Sequence, residues 1–253
     1  FGHVAFFALG AYASALLSLR GWPLALTFLI AALVAAVSAI PLGLAALRLR
    51  EDYLAIVTLG FSESVRLVLQ QEREITFGVQ GVPGIPKLFG AFGGRLTDWA
   101  ILAALFVAVA LAAWATHLLQ RSPFGRLLRA IRDNEPAVVA LGKDPARFKI
   151  QVFMFGAALA GLAGAFYAHF LTFISPEQFV PLVTFHVWMS VILGGIGSLR
   201  GALAGTLLLV AFLEGSRFIR DLVPGIAEVQ MASIRLAVVG LAIILFVLLR
   251  PQG

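Results

Sequence analysis

Long apolar runs separated by short polar connections set the pattern of this chain. A membrane-spanning helix needs about 20 mostly apolar residues, and several of the runs approach or reach that length. Because helices satisfy their own backbone in lipid, we predict an all-α integral membrane protein, a polytopic helical bundle of about eight membrane segments. The predicted segments are Val4–Leu19, Leu24–Leu47, Tyr53–Leu69, Trp99–Leu119, Ile150–Ile174, two within Leu182–Leu213, and Met231–Leu249.

Glycines mark where these segments break or pack closely. Leu182–Leu213 is too long for one helix, and the glycine-rich stretch Leu193–Gly201 divides it into either a pair of spans or a re-entrant hairpin. Gly197, Gly201 and Gly205 are four apart, a spacing that puts small residues on one helix face and lets backbones pack closely in lipid. Such faces either pack helices together or line a translocation path or dimer seam. The predicted helix-packing glycines are Gly161, Gly164, Gly194, Gly195, Gly197, Gly201 and Gly205.

Composition supports a membrane environment. The 253 residues are 60% hydrophobic and 13% charged, whereas soluble domains are about 45–50% apolar and about 25% charged. The mean hydropathy of +0.97 excludes a disordered chain, a disulfide scaffold and an ordinary soluble enzyme. The chain has no cysteine, and therefore no disulfide, thiolate nucleophile or cysteine-based metal site. We predict a single transmembrane domain over residues 1–253.

Positive charges predict the orientation. The loop Gln120–Lys149 holds seven of the 19 Lys and Arg residues, and cytoplasmic loops carry an excess of these residues. We therefore place this loop in the cytoplasm and the loop Gln70–Asp98 outside. Alternation of the segments then puts eleven cations inside and six outside, with both ends of the chain in the cytoplasm. The net charge of +6 reflects these loops and predicts no nucleic-acid partner.

The loop Gln120–Lys149 predicts two short helices. In its first part, Leu127, Leu128 and Ile131 stand among arginines at a spacing typical of an amphipathic helix. Asp133 or Asn134 can cap a second helix, which Gly142 can end. Glu135 would lie at the start of that helix, where the helix dipole favours a carboxylate. From there it can pair with a basic group of a partner.

Catalytic and nucleotide-binding motifs are absent from the sequence, which has no H-E-x-x-H, G-x-S-x-G or P-loop. We therefore expect no enzyme activity, bound cofactor or metal. Glu63 and Arg66 share a helix face, and they form either a structural ion pair or part of a pathway. His169 is more simply a hydrogen-bonded polar group between helices. The candidate pathway or intramembrane polar residues are Thr58, Ser62, Glu63, Arg66 and His169.

A more specific signal comes from stretches that occur in a fixed order. The strongest is Ser122–Glu135, which contains Arg-Ala-Ile-Arg-Asp-Asn-Glu and continues into Ala140–Gly142. The others are Gly2–Tyr12, Asp52–Phe61 with Glu63 and Arg66, Thr76–Pro86, Ala158–Ala165, Ile174–Glu177 and Val191–Gly201. Together they resemble the permeases of branched-chain amino-acid ABC transporters, in particular the paralogue with the extended loop. Ser62 departs from the glycine, and Pro136 from the aliphatic residue, that are usual there.

The resemblance implies an importer subunit in the bacterial cytoplasmic (inner) membrane that moves branched-chain or related neutral amino acids by alternating access. Urea and short-chain amides are the alternative substrates. The implied partners are a second, paralogous permease, two cytoplasmic ATP-binding subunits that use ATP and Mg, and an external solute-binding protein. The resemblance also implies that one or more N-terminal spans precede Phe1. The implied ATPase-coupling residues are Arg126, Arg129, Arg132, Asp133, Asn134, Glu135, Ala137, Leu141 and Gly142.

A stand-alone secondary transporter or channel is the competing function from another class. It would need charged or ion-coordinating residues deep in the membrane to couple transport to a gradient. The charge within the predicted segments is sparse, at Glu63, Arg66 and Arg235. The sequence therefore favours an importer subunit whose energy comes from partner chains.

Overall fold

A computed structural model describes residues 2–47, 51–90, 93–195, 197–220 and 240–241 of the chain. These residues form helices joined by turns, with one isolated antiparallel bridge between Val82 and Ile174, which confirms the all-α class. The helices are α1 His3–Leu19, α2 Leu24–Ala46, α3 Glu51–Gln71, α4 Arg73–Thr76, α5 Gly94–Arg121, α6 Pro123–Asp133, α7 Glu135–Ala140, α8 Pro145–Leu171, α9 Pro181–Gly194 and α10 Leu199–Arg220. Single 3₁₀ turns occupy Gly78–Gln80 and Pro176–Gln178.

Four helices among the described residues are long and apolar enough to cross a membrane: Leu24–Ala45, Gly94–Arg121, Pro145–Leu171 and Pro176–Gly194. The prediction of about eight membrane segments is thus not confirmed. Its last segment, Met231–Leu249, lies outside the described residues except for positions 240–241, and Arg235 lies outside them as well.

Helix α8 begins and ends earlier than hydropathy predicts. It starts at Pro145 because the carboxylate of Asp144 caps it, accepting a hydrogen bond of 3.0 Å from the Ala146 backbone N–H. It ends at Leu171 because Thr172 adopts a left-handed backbone with φ of 60°. The first turn of α8 is polar, so the length of the apolar run alone places the start of the helix too late.

Helices α1 and α2 pack along α8 and form the closely packed part of the first compact unit, residues 1–181. Their contact faces consist mainly of small residues, which let the helix backbones approach one another. At one edge of this contact, Phe6 packs edge-on against Phe153 with ring centroids 5.5 Å apart. The buried alanines described in these three helices are Ala5, Ala8, Ala11, Ala15, Ala31, Ala35, Ala39, Ala157, Ala165 and Ala168.

Contacts along these helices fix their relative directions. Gly10 of α1 lies against Gly161 of α8, and Ser14 lies against His169 further along, so α1 and α8 run parallel. Helix α2 returns after a short turn, and its Gly43 lies beside the first residues of α8. Helices α1 and α2 therefore run in opposite directions, as expected when two consecutive helices cross a membrane.

Two groups of connections lie at opposite ends of the first unit. The 72–90 segment meets the end of α8, where Val82 pairs with Ile174. Helices α6 and α7 lie near the start of α8, where the rings of Phe124 and Phe148 are 5.5 Å apart. The two loops that the charge pattern assigns to opposite sides of a membrane thus lie at opposite ends of the bundle.

Helix α5 stands beside α8 across an apolar cleft of about 680 Å³. The cleft is bounded by Leu105 and Ala112 of α5, Leu162 and Phe166 of α8, and Phe7 of α1. Most of the outward surface of α5 is also apolar and exposed, as a bilayer environment requires. The cleft offers almost no polar group to a solute.

The second compact unit, residues 182–253, contains the rest of α9 together with α10. Helix α9 ends at Gly194 and α10 starts at Leu199, both within the glycine-rich stretch that predicted a break. Gly195 and Gly197 have φ of 96° and 92°, values that favour glycine. The sequence-based division of this region into two helical segments is therefore confirmed for the described residues.

Candidate functional site

The closest helix contacts in the first unit occur at glycines of α8. A Cβ atom on Gly164 would overlap the carbonyl oxygen of Phe7, and one on Gly161 would overlap the side chain of Ala35. Gly10 meets Gly161 backbone to backbone in the same contact. Two of the predicted helix-packing glycines therefore lie where α1 and α2 approach α8, and side chains larger than hydrogen have no room there.

The glycines of the second unit divide into two kinds. Gly194 and Gly201 face one another so closely that a Cβ on either would overlap the other's carbonyl, and Gly205 meets the carbonyl of Ser190. Gly197 is different, because it lies in the connection before α10 and has open space around it. The prediction that Gly197 shares a helix face with Gly201 and Gly205 is wrong, since a positive φ removes it from the helix.

His169 lies at the centre of a network of buried polar side chains near the end of α8. Its Nδ1 donates to the carbonyl oxygen of Pro86 at 2.8 Å, since a carbonyl only accepts. Its Nε2 lies 2.9 Å from Oγ of Ser14, which is also 3.1 Å from Oγ1 of Thr27. Phe28 stacks on the imidazole ring with centroids 5.4 Å apart. The histidine thus ties the 72–90 segment to α1, α2 and α8.

Replacing His169 by leucine is expected to lower stability and loosen the 72–90 segment. The substitution removes the hydrogen bond to the carbonyl of Pro86, an exposed residue, and such a hydrogen bond contributes about 0.5–1.5 kcal/mol to stability. His169→Gln, which retains a donor, is expected to recover part of the loss. Limited proteolysis of the 72–90 segment, compared with thermal unfolding of the whole protein, measures both effects. Equal proteolysis of His169→Leu and wild type would contradict the tethering role.

The candidate pathway residues are placed very differently from one another. Thr58 and Ser62 are buried, and each donates within α3, to the carbonyls of Ala55 and Thr58. Their hydroxyls are therefore satisfied by their own helix. Glu63 and Arg66 form an ion pair on α3, with side chains 36% and 20% exposed. Thr58, Ser62 and His169 are buried, so Glu63 and Arg66 are the two of the five candidates whose side chains are partly exposed in the first unit.

Helix α6 begins at a cap that its sequence encodes. The Ser122 hydroxyl accepts from the Gly125 backbone N–H at 3.3 Å, and Pro123 occupies the first turn. A Cβ on Gly125 would overlap the carbonyls that end α5, so the sharp turn between α5 and α6 requires glycine. Arg129 donates to the Gln120 carbonyl at 3.1 Å and closes the end of α5.

The sequence offers Asp133 and Asn134 as possible N-terminal caps of α7. Asn134 is the residue that caps it, and its side-chain oxygen accepts a hydrogen bond of 3.1 Å from the Ala137 backbone N–H. Asp133 instead accepts from Arg132 at 3.0 Å. Gly142 follows α7 with φ of 73°, which ends the helix as predicted. The polar residues of this loop therefore define its shape as well as its charge.

Glu135 pairs within the chain. Lys149, in the first turns of α8, donates to both carboxylate oxygens at 2.7 Å. Within the chain, this ion pair links α7 to α8, and pairing of Glu135 with a basic group of another chain stays a prediction. Spacing along the chain gave no signal for Lys149, because its partner is 14 residues away on another helix.

Helices α6 and α7 bury one apolar side and expose another. Ile131 and Val138 are buried against the bundle, whereas Val139 is exposed and Leu141 is 79% exposed. Arg126, Arg129 and Arg132 are exposed around them, together with Ala137. We call the surface formed by α6, α7 and residues 141–142 the α6–α7 surface. It combines an apolar projection with a rim of positive charge, a composition typical of protein contacts.

These features define a class: a multi-pass helical membrane protein with a tightly packed core and a structured basic surface at one end. The family model described as "Branched-chain amino acid transport system / permease component" matches residues 1–248. The chain belongs to this family.

Individual relatives give the same result. LivM of Salmonella typhimurium is described as a high-affinity branched-chain amino acid transport system permease protein. It is 36% identical to this chain, and the match covers the whole length of this chain. LivM of Escherichia coli is also 36% identical. A probable LivM of Methanocaldococcus jannaschii is 33% identical over 64% of this chain and 47% of its own length. The chain spans 62% of the length of the first two relatives. No solved structure gives a significant match.

Proposed function

We propose that the chain is the membrane-spanning permease subunit of an ABC importer for branched-chain or related neutral amino acids. The observation that carries the proposal is the α6–α7 surface, a capped pair of short helices at one end of a membrane bundle whose family is a transport permease family. A permease driven by separate ATPases needs such a surface, because closure of the motors must reach the membrane helices through a stiff contact.

The proposed assembly follows from that surface. Two cytoplasmic ATP-binding subunits dock there and use ATP and Mg, while a second, paralogous permease completes the membrane path. A solute-binding protein delivers substrate at the opposite end, beside the 72–90 segment. In this arrangement Gln120–Lys149 faces the cytoplasm of a bacterial cell, both ends of the chain lie on the same side, and substrate crosses by alternating access.

The chemistry of the described helices supports a small neutral substrate. The hydroxyls of Thr58 and Ser62 bond to their own helix, and the accessible charges at Glu63 and Arg66 balance one another. A substrate with net charge would instead require a path lined by opposite charge. The names of the relatives specify branched-chain amino acids, and we extend that substrate class to this chain.

Competition for uptake tests the substrate assignment. In the transporter assembled with its partner subunits, unlabelled isoleucine and valine are expected to reduce uptake of labelled leucine, and urea and acetamide to leave it unchanged. An amino acid with a charged side chain, such as lysine, serves as the control for substrates with net charge. Competition by urea or acetamide without any amino acid would assign an amide substrate and reject this part of the proposal.

A further inference from the structure

Arg66 and Glu177 lie on two elements that pack together, α3 and the 3₁₀ turn after α8. Arg66 is five residues before the end of α3, which is about 7.5 Å along the helix axis. Glu177 belongs to the 3₁₀ turn Pro176–Gln178, which packs against α3, and its carboxylate acts electrostatically on Arg66. Both residues are at the end of the first unit that carries the 72–90 segment, so they lie on the side from which we propose that substrate arrives.

Arg66 retains donors after pairing with Glu63. The hydrogen bonds to the Glu63 carboxylate use Nε and Nη2 of the guanidinium group, and none of them uses Nη1. A guanidinium has five N–H donors in a fixed plane, and a second edge of that plane can bind another carboxylate. The Arg66 side chain is 20% exposed, so this edge can be reached without breaking its ion pair.

Glu177 supplies the opposite charge. It is exposed, and together with Glu63 it gives this group two carboxylates for one guanidinium. A carboxylate in excess over its cation is suited to accept hydrogen bonds from an ammonium group. The Arg66 edge and the Glu177 carboxylate therefore offer one donor site and one acceptor site on two elements that pack together.

We propose that Arg66 and Glu177 form a receiving site for the zwitterionic head group of an amino acid, with Arg66 binding the carboxylate and Glu177 the ammonium. This inference rests on the proposed function and specifies where substrate is first held. An α-amino acid carries these two charges on adjacent atoms, and its net charge is zero, as a path with balanced charges requires. Glu63 acts as a positioning residue, because it fixes the plane of the Arg66 guanidinium.

The contact of Arg66 with the carboxylate and that of Glu177 with the ammonium group can be tested separately. The experiment measures binding of small molecules to the assembled transporter in the absence of its solute-binding protein. Labelled leucine is the probe, leucinamide lacks the carboxylate charge, and 4-methylpentanoate lacks the ammonium group. Glu177→Gln is expected to weaken leucine binding about tenfold, the usual scale for losing a charge-assisted contact, while binding of 4-methylpentanoate is unchanged. Arg66→Lys keeps the charge and is expected to weaken leucine about tenfold while leucinamide is unchanged.

Glu74→Gln is the matched control, since Glu74 is an exposed carboxylate in α4 at the same end of the bundle. It is expected to bind all three compounds as wild type does. Equal weakening of leucine and 4-methylpentanoate by Glu177→Gln would show a structural role and overturn the inference, as would unchanged leucine binding. Absence of leucine binding by wild type that still takes up leucine with the binding protein would also overturn it. Absence of amino-acid uptake altogether would instead reject the proposed function.

Discussion

Replacing Gly164 by leucine is expected to destroy the packing of α1 against α8. Even a single Cβ atom there overlaps the Phe7 carbonyl, which is backbone and cannot move aside as a flexible side chain does. Overpacking a close contact costs about 1–3 kcal/mol, and the cost is larger where backbone must shift. The membrane-extracted protein should therefore elute as aggregate in size-exclusion chromatography after mild heating that wild type survives.

Gly156→Leu is the matched control for that experiment. Gly156 belongs to the same helix, but a Cβ atom added there has no neighbouring atom within 4 Å. The same substitution on the same helix should thus leave the elution profile unchanged. Equal thermal stability of Gly164→Leu and Gly156→Leu would contradict the packing that the structure assigns to α1 and α8.

Glu135→Arg is expected to abolish uptake while leaving the protein folded and inserted. The Glu135–Lys149 pair is exposed and contributes only about 0.2–1 kcal/mol to stability. Its loss, together with repulsion between the introduced guanidinium and Lys149, is expected to weaken the contact of α7 with α8 and to shift Leu141, which is exposed. Uptake of labelled leucine by the assembled transporter should fall to background, with normal amounts of protein in the membrane.

A charge exchange separates an internal role of Glu135 from one across a subunit contact. Glu135→Lys combined with Lys149→Glu restores the ion pair inside the chain, and we expect it to recover most of the uptake. Asp98→Arg is the control, because it breaks a similar exposed ion pair with Lys87 at the other end of the bundle. Failure of the double variant to recover any uptake would show that Glu135 acts on a partner chain directly.

Much of this fold follows from local sequence, because helix starts and ends are encoded by neighbouring residues. Ser122, Asn134 and Asp144 cap the helices that follow them, and Gly142 ends α7. The amphipathic spacing of leucine and arginine in α6 likewise predicts which side is buried. The start of α8 is also encoded locally, by Asp144 and Pro145. The length of the apolar run does not predict it, because the first turn of α8 is polar.

The contacts that complete the candidate sites join residues that are distant in sequence. His169 bonds to Pro86, 83 residues away, and Glu135 pairs with Lys149 on the next long helix. Spacing rules describe neighbours on one helix, so they identify the Glu63–Arg66 pair but not the approach of Glu177 to it. The small residues of α8 indicate close packing from sequence alone, yet only the fold shows that α1 and α2 are the helices that pack there.

ATP dependence of uptake tests the central claim most directly. The permease, its paralogous partner and the two ATP-binding subunits are reconstituted in liposomes with the solute-binding protein and labelled leucine. We predict accumulation that requires ATP and Mg, persists when ion gradients are collapsed, and is lost when Glu135→Arg replaces wild type. Accumulation without ATP that follows an imposed proton or sodium gradient would contradict the account and assign the chain to the secondary transporters.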